Sequence, residues 1–160
     1  MNILALDLGT KCGWALNIWY PDELMKLHQL CGVWNLKPSV HESAGQRYAK
    51  FRHELHNCLL CGKVDLIVYE EVHAHAAVDA AHVYGGLMAV VQVVAIDNKI
   101  EYRGVGVGTI KKHATGKGNA KKDSMICAAA LKWPSINIIS DDHADALWLL
   151  DYAQTHFAIS

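Results

Sequence analysis

The sequence predicts an α/β fold: a mixed β-sheet with three antiparallel strands at its N-terminal end and crossover helices on both faces. Two observations predict it. The first third of the chain holds short apolar runs too brief for helices, and after residue 40 helix-forming segments alternate with strand-like ones. Parallel neighbours in a sheet need crossover connections, so that alternation places helices against the sheet. At 160 residues the chain is long enough for one domain, taken as 1–160, that buries about two thirds of its unfolded surface.

The run from Asn2 to Asp7, closed by Gly9, reads as a buried strand ending in a carboxylate. Gly13 to Trp19 and His28 to Leu36 read as two further strands of a meander, with Tyr20, Pro21 and Asp22 starting the turn between them. From Val40 to about Leu60, apolar Tyr48, Phe51, Leu55 and Leu59 recur near the helical period. Val64 to Glu70 is β-branched and aromatic and again ends in an acid. The small-residue segment Ala76 to Ile96, with Gly85 and Gly86, predicts a closely packed helix that feeds a strand from Ile100 to Val105. Two more helices, about Lys121 to Lys132 and Asp142 to His156, are separated by Trp133, Pro134 and Ser135. Gly104, Gly106 and Gly108 are spaced like a phosphate-cradling loop, but lack the lysine and hydroxyl that such a loop places directly after its last glycine.

Four acids stand out because each sits where a rigid element would hold it: Asp7 and Glu70 at strand ends, and Asp142 and Asp145 three residues apart on one helix. Each has an ordinary reading alone: Asp7 as a turn residue, Glu70 as a solvated strand end, Asp142 as a favourable charge at a helix N-terminus. Asp141, four residues before Asp145, fits the same helix face, so periodicity does not choose between it and Asp142. Together the acids point to a metal site of a nuclease. Gathered carboxylates raise one another's pKa and lose hydration, and a divalent cation removes that cost. All-oxygen ligands favour magnesium or manganese over zinc, and two ions about 3.5 to 4 Å apart would clamp the attacking and leaving oxygens of a phosphodiester.

Hydrophobic residues at 52% and charged residues at 19% describe a folded globule. No apolar run of about 20 residues is uninterrupted and no signal-peptide pattern opens the chain, so a soluble, cytoplasmic protein without a membrane partner is expected. Five scattered cysteines predict free thiols; Cys58 and Cys61 form one C-x-x-C near a helix end without two further ligands at matching spacing. Among ten histidines, His73 and His75 form a possible ligand pair beside Glu70, with a surface or core role the commoner alternative, and His143 lies between the two helical acids without an assigned role. The net charge of −1 argues against bulk attraction to nucleic acid. From Lys99 to Lys122, however, seven basic residues (Lys99, Arg103, Lys111, Lys112, Lys117, Lys121 and Lys122) face one acid, Glu101, which leaves +6 in that stretch. Such a concentration is either a solvated face or a phosphate-contacting rim.

Three separated motifs then resemble the RuvC family of Holliday junction resolvases, within the ribonuclease H-like superfamily. Ile3 to Thr10 with Gly13 resembles the family's first strand and turn, Tyr69-Glu70-Glu71-Val72 its central glutamate motif, and Asp142-His143-Ala144-Asp145-Ala146-Leu147 its C-terminal helix. Lys111 through Lys122, with Gly116-Lys117-Gly118, resembles the basic segment before the family's penultimate helix. The resemblance implies a ribonuclease H-like sheet, and it selects Asp142 over Asp141. It implies that Asp7, Glu70, Asp142 and Asp145 bind two magnesium ions, with manganese able to substitute, and that Lys111 and Lys122 lie near the scissile phosphate. Lys111, Lys112, Lys117, Lys121, Lys122 and His73 are assigned to DNA binding. Leu8 stands where cellular members usually carry proline, and His73 where they often carry an aromatic residue. The implied protein is a compact, phage-type, homodimeric endonuclease that resolves four-way and other branched DNA junctions in a bacterial cell or phage-infected host. The alternatives are another ribonuclease H-like nuclease acting on RNA or RNA/DNA hybrids, and a non-catalytic junction-binding protein.

Overall fold

The computed structural model describes residues 1–20, 26–73 and 77–157. In chain order the elements are β1 (Ile3–Asp7), β2 (Lys11–Tyr20), β3 (Lys26–Asn35), α1 (Gln46–Cys61), β4 (Leu66–Glu71), α2 (Val78–Asp97), β5 (Glu101–Gly106), α3 (Val107–Thr115), α4 (Lys122–Lys132) and α5 (Asp141–Phe157). They form one sheet in the order β3-β2-β1-β4-β5. β1, β2 and β3 pair antiparallel, while β1–β4 and β4–β5 are parallel, so the mixed sheet expected from the element order is present.

The period of two along a strand decides which core each residue enters. In β1, Leu4 and Leu6 join the core under α1 and α2, whereas Ile3 and Ala5 join the core under α3, α4 and α5. In β4, Ile67 and Tyr69 face the first core, and Leu66 and Val68 the second. Continuing that alternation turns Asp7 and Glu70 toward α5. The strands run parallel with Leu6 opposite Tyr69, so the two acids occupy the next step of the same ladder.

α5 is the central helix of that second layer. Residues on most of its circumference are buried, among them Ala144, Ala146, Leu147, Leu149, Leu150 and Ala153. Such a helix is held by tertiary packing rather than by an amphipathic stripe. The Ser140 hydroxyl caps it by accepting the His143 N–H at 3.2 Å, and the Trp148 indole donates to the Met125 carbonyl on α4 at 3.2 Å. Its first turn lies directly on β2. A Cβ at Gly13 would land on the carbonyl group of Asp142, which is backbone and cannot swing aside.

Several boundaries differ from expectation for physical reasons. α1 begins at Gln46, not Val40, because Glu42 closes a preceding turn: its carboxylate accepts the Ser39 N–H at 2.7 Å and the Lys50 ammonium at 2.8 Å. The three glycines near residue 106 are not a phosphate-cradling loop. Gly106 is the N-cap of α3, a helix not anticipated from the sequence, which buries Ile110 and ends at Gly116 with φ 79°. α2 is long and apolar enough to cross a membrane by length and composition, despite Asp79, His82 and Gln92. As the crossover between parallel β4 and β5 it instead buries Tyr84, Leu87, Val91, Val94 and Ala95 in the first core. Its close packing is carried by Gly86, whose missing side chain leaves room for the Tyr48 ring of α1. The five cysteines are free, with Cys58 buried and Cys61 exposed in the last turns of α1. The turn at Pro21 and Asp22, and His75, lie outside the described residues.

Gly13→Ala should therefore push the first turn of α5 off the sheet, at a cost of about 1–3 kcal/mol of folding stability. Urea denaturation measures this, and a loss below about 0.5 kcal/mol, the ordinary range of a harmless substitution, would contradict the packing described.

Candidate metal centre and nucleic-acid interface

Asp7, Glu70 and Asp145 come from segments far apart in sequence, yet each offers a carboxylate oxygen within 4.8 Å of the others. All three are partly buried. Burial, then the Glu70 charge and a hydrogen bond to Glu70, hold the Asp7 carboxyl well above its ordinary pKa, with Asp145 and Asp142 adding to the rise. Asp145 is pushed up to about 7, first by burial and then by the charge of Glu70. One of its oxygens, Oδ1, is buried without a hydrogen-bond partner. Crowded carboxylates with an orphaned oxygen are what a divalent cation would satisfy, and the all-oxygen donor set fits a hard cation such as magnesium or manganese. The nearby Cys12 does not change that preference, because burial and then the Asp7 charge raise its thiol pKa and keep it protonated.

Of the four acids singled out in the sequence, the structure gathers three. Asp142 stands outside the close group, because three residues of helical rise carry it about 4.5 Å along the axis from Asp145. It remains within electrostatic reach: it contributes to the raised values of both Asp7 and Asp145. Its own carboxyl is raised by burial and by Asp141, partly offset by Lys122 and Lys11. Asp141 points elsewhere and is ion-paired with the Lys122 ammonium, which lowers its pKa. That pair in turn raises the Lys122 pKa.

The basic segment flanks the carboxylates. Lys111 on α3 is partly buried, and its charge opposes the rise in Asp145. Lys122 opens α4, and Lys112, Lys117 and Lys121 are exposed. Arg103 is drawn away from this rim: it pairs with Glu101 at 2.6 Å and lies 4.9 Å over the Phe157 ring. His73 is exposed and 3.8 Å from Glu71, the acid on the opposite strand parity from Glu70, so it is not placed as a ligand of the carboxylate group. His143 is buried, with its pKa lowered by burial; its Nδ1 faces the Ile139 N–H at 3.4 Å, and its Nε2 has no partner.

Two contributions were not found in the sequence. Lys11, at the start of β2, reaches Asp142 electrostatically. Its place directly after the turn that follows Asp7 is the only sequence signal for it. His113 Nε2 and Lys132 Nζ both meet Asp151 Oδ2, at 2.7 and 2.6 Å, tying α3 and α4 to α5 and so fixing the helix that carries Lys111. This cluster joins three elements across 38 and 19 residues of chain, a separation no local pattern reveals.

No protein-family model matches the sequence, and no curated protein matches it. Solved structures do. Thermus thermophilus RuvC in complex with a Holliday junction substrate is similar at a TM-score of 0.77 and 19% identity, over 97% of this chain and 96% of that one. The yeast mitochondrial Holliday junction resolvase is similar at 0.61 and 16%, over 92% and 75% of the two chains. The fowlpox virus resolvase, solved with substrate Holliday junction DNA, is similar at 0.57 and 11%, over 96% and 99%. At these identities the likeness is one of fold, and it spans nearly the whole chain: this protein has the fold of the RuvC-like Holliday junction resolvases.

Proposed function

We propose that this chain is a divalent-metal-dependent endonuclease that cuts four-way and other branched DNA by paired phosphodiester hydrolysis, acting as a homodimer. One observation carries the reading: three carboxylates from separate segments meet beside lysines, with an unpartnered oxygen on Asp145. The fold it shares with resolvases solved on Holliday junctions supports branched DNA as the substrate. Asp7 and Glu70 would hold the cation from the sheet and Asp145 from α5, with Asp142 as a further donor from the first turn. Magnesium, or manganese in its place, supplies Lewis-acid polarisation of the phosphodiester and of the attacking water.

The chain's own groups do the rest. Lys111 offsets the negative charge around Asp145, which supports a role in neutralising the scissile phosphate. Lys122 exchanges Asp141 for a substrate phosphate, and Lys112, Lys117 and Lys121 hold flanking phosphates. A two-fold homodimer would match the symmetry of a four-way junction and place two cuts across it. The exposed apolar side chains of Val78, Val93 and Ile96 on α2 support a second copy as the partner.

Asp7→Asn should lower junction cleavage by more than about 100-fold, the upper range for outer-shell partners of a metal, while junction binding persists. Synthetic four-way junction, flap, duplex and RNA/DNA hybrid at one salt concentration, with magnesium or chelator, make the test. Wild-type cutting by that variant, or cutting in chelator, would overturn the metal-nuclease reading; preference for the hybrid would overturn the substrate.

The raised Asp145 carboxyl sets a pH dependence. Below about pH 4 it is protonated folded or unfolded and has no effect on stability. Between there and its folded value of about 7, the unfolded chain releases the proton first, so metal-free stability falls as pH rises. Cation binding requires the ionised form, so the gain in melting temperature from magnesium should grow across that same window. Asp145→Asn should weaken both trends, leaving the part that the raised Asp7 carboxyl carries. A magnesium effect equal at pH 5 and pH 8 in calorimetry would contradict the assignment.

A further inference from the structure

We infer that the cleft between the β1–β2 turn and helices α1 and α2 is a second phosphate subsite, in which Arg47 holds a backbone phosphate of the nucleic-acid strand whose scissile phosphate lies at the carboxylates. The inference rests on the nucleic-acid reading above and deepens it. The cleft has a volume of about 720 Å³ and is open to solvent, within the size range of ligand sites and far larger than a free anion needs. Gly9 and Thr10 line one side, Arg47 and Tyr48 another, and Asp79 and His82 a third.

Arg47 carries the argument. The residue is half-buried: its Nε is shielded from solvent without a hydrogen-bond partner, which is rare for a cationic donor, while the rest of the guanidinium stays accessible from the cleft. A guanidinium presents a planar fork of donors suited to phosphate oxygens. The wall beside it is fixed: the Tyr48 ring sits where Gly86 has no side chain, and its hydroxyl lies 3.4 Å from the His82 carbonyl oxygen. Asp79 is the acid in the lining; it is exposed in the first turn of α2 and leaves the Nε orphaned.

Position relates the cleft to the carboxylates. Leu8, Gly9 and Thr10 follow Asp7 directly, and strand parity turns Asp7 toward α5 and Leu8 toward α1 and α2. The same short turn therefore separates the two sites. A strand leaving the carboxylates over that turn brings its next phosphates to Arg47. Gly9 and Thr10 present no bulky side chain on the way.

Arginine Nε–H signals of the isotope-labelled protein, with Arg47 assigned by Arg47→Lys, provide the test in calcium or chelator, where cleavage is silent. Expected is movement of the Arg47 signal on adding a short single-stranded oligonucleotide at concentrations where inorganic phosphate has little effect. Arg47→Gln should weaken junction binding on the order of tenfold and reduce the salt slope by about one; Arg47→Lys, which keeps charge but loses the fork, should recover part of the affinity. An Arg47 signal that ignores the oligonucleotide, or that responds only to inorganic phosphate, overturns the subsite even if Arg47→Gln fails to fold. Binding that responds as expected by a protein that cuts no junction would sink the nuclease reading and leave the subsite standing; cutting with Arg47→Gln bound as wild type would do the reverse.

Discussion

Mutual repulsion among three partly buried carboxylates is the constraint on which the rest of the structure depends. Its cost shows in the carboxyl groups: burial and Glu70 hold Asp7 well above its ordinary pKa, and Asp145 is pushed up to about 7. A fold does not gather acids this way for stability, since burial and like charge both oppose it. The arrangement makes sense only with something positive to receive it. Lys111 and Lys122 supply part of that from the side, but neither fills the centre: Lys122 is engaged with Asp141, and Asp145 Oδ1 is left without a partner.

The scaffold answers the same constraint with rigidity. Two acids sit on adjacent parallel strands at one ladder step, where neither can drift from the other. The third sits on a helix buried around most of its surface. Three ties fix that helix: the Ser140 cap, the backbone contact at Gly13, and the Asp151 oxygen shared by His113 and Lys132. The first two hold its first turn, and the third holds its C-terminal half. The result is a preorganised site in which the cost of crowding is met by packing elsewhere in the domain.

Much of this was legible in the sequence. Apolar runs ending in Asp7 and Glu70 marked the strands, and alternation along them already contains which face each acid must take. The helical spacing of the acids near residue 142 located α5 but not the angular and axial difference that brings Asp145 in and leaves Asp142 at the edge. α3 escaped because Gly104, Gly106 and Gly108 depress local helix propensity, which burial of Ile110 and the His113–Asp151 contact to α5 outweigh. The start of α1 was placed too early because Glu42 is a helix former by composition, yet here it closes a turn. Arg47 gave no signal at all; a basic residue on a predicted helix reads as solvated until a cavity is seen beside it.

Charge distribution, not net charge, links these features to a polyanion. The chain totals −1, and the apparent surplus between Lys99 and Lys122 is smaller in space than in sequence. Arg103 is neutralised by Glu101 and Lys122 by Asp141, and Lys99 precedes β5 at the other end of the sheet, so the positive charge left beside the carboxylates is that of Lys111, Lys112, Lys117 and Lys121. Counterion release from so few lysines supports only modest binding, with a correspondingly shallow salt dependence. Under that limit a strand gains more from one half-buried guanidinium than from another exposed lysine, because screening weakens the exposed contact more than the partly shielded one. A near-neutral protein can hold a nucleic acid in this way while its acidic centre, which alone would repel the substrate, remains in place.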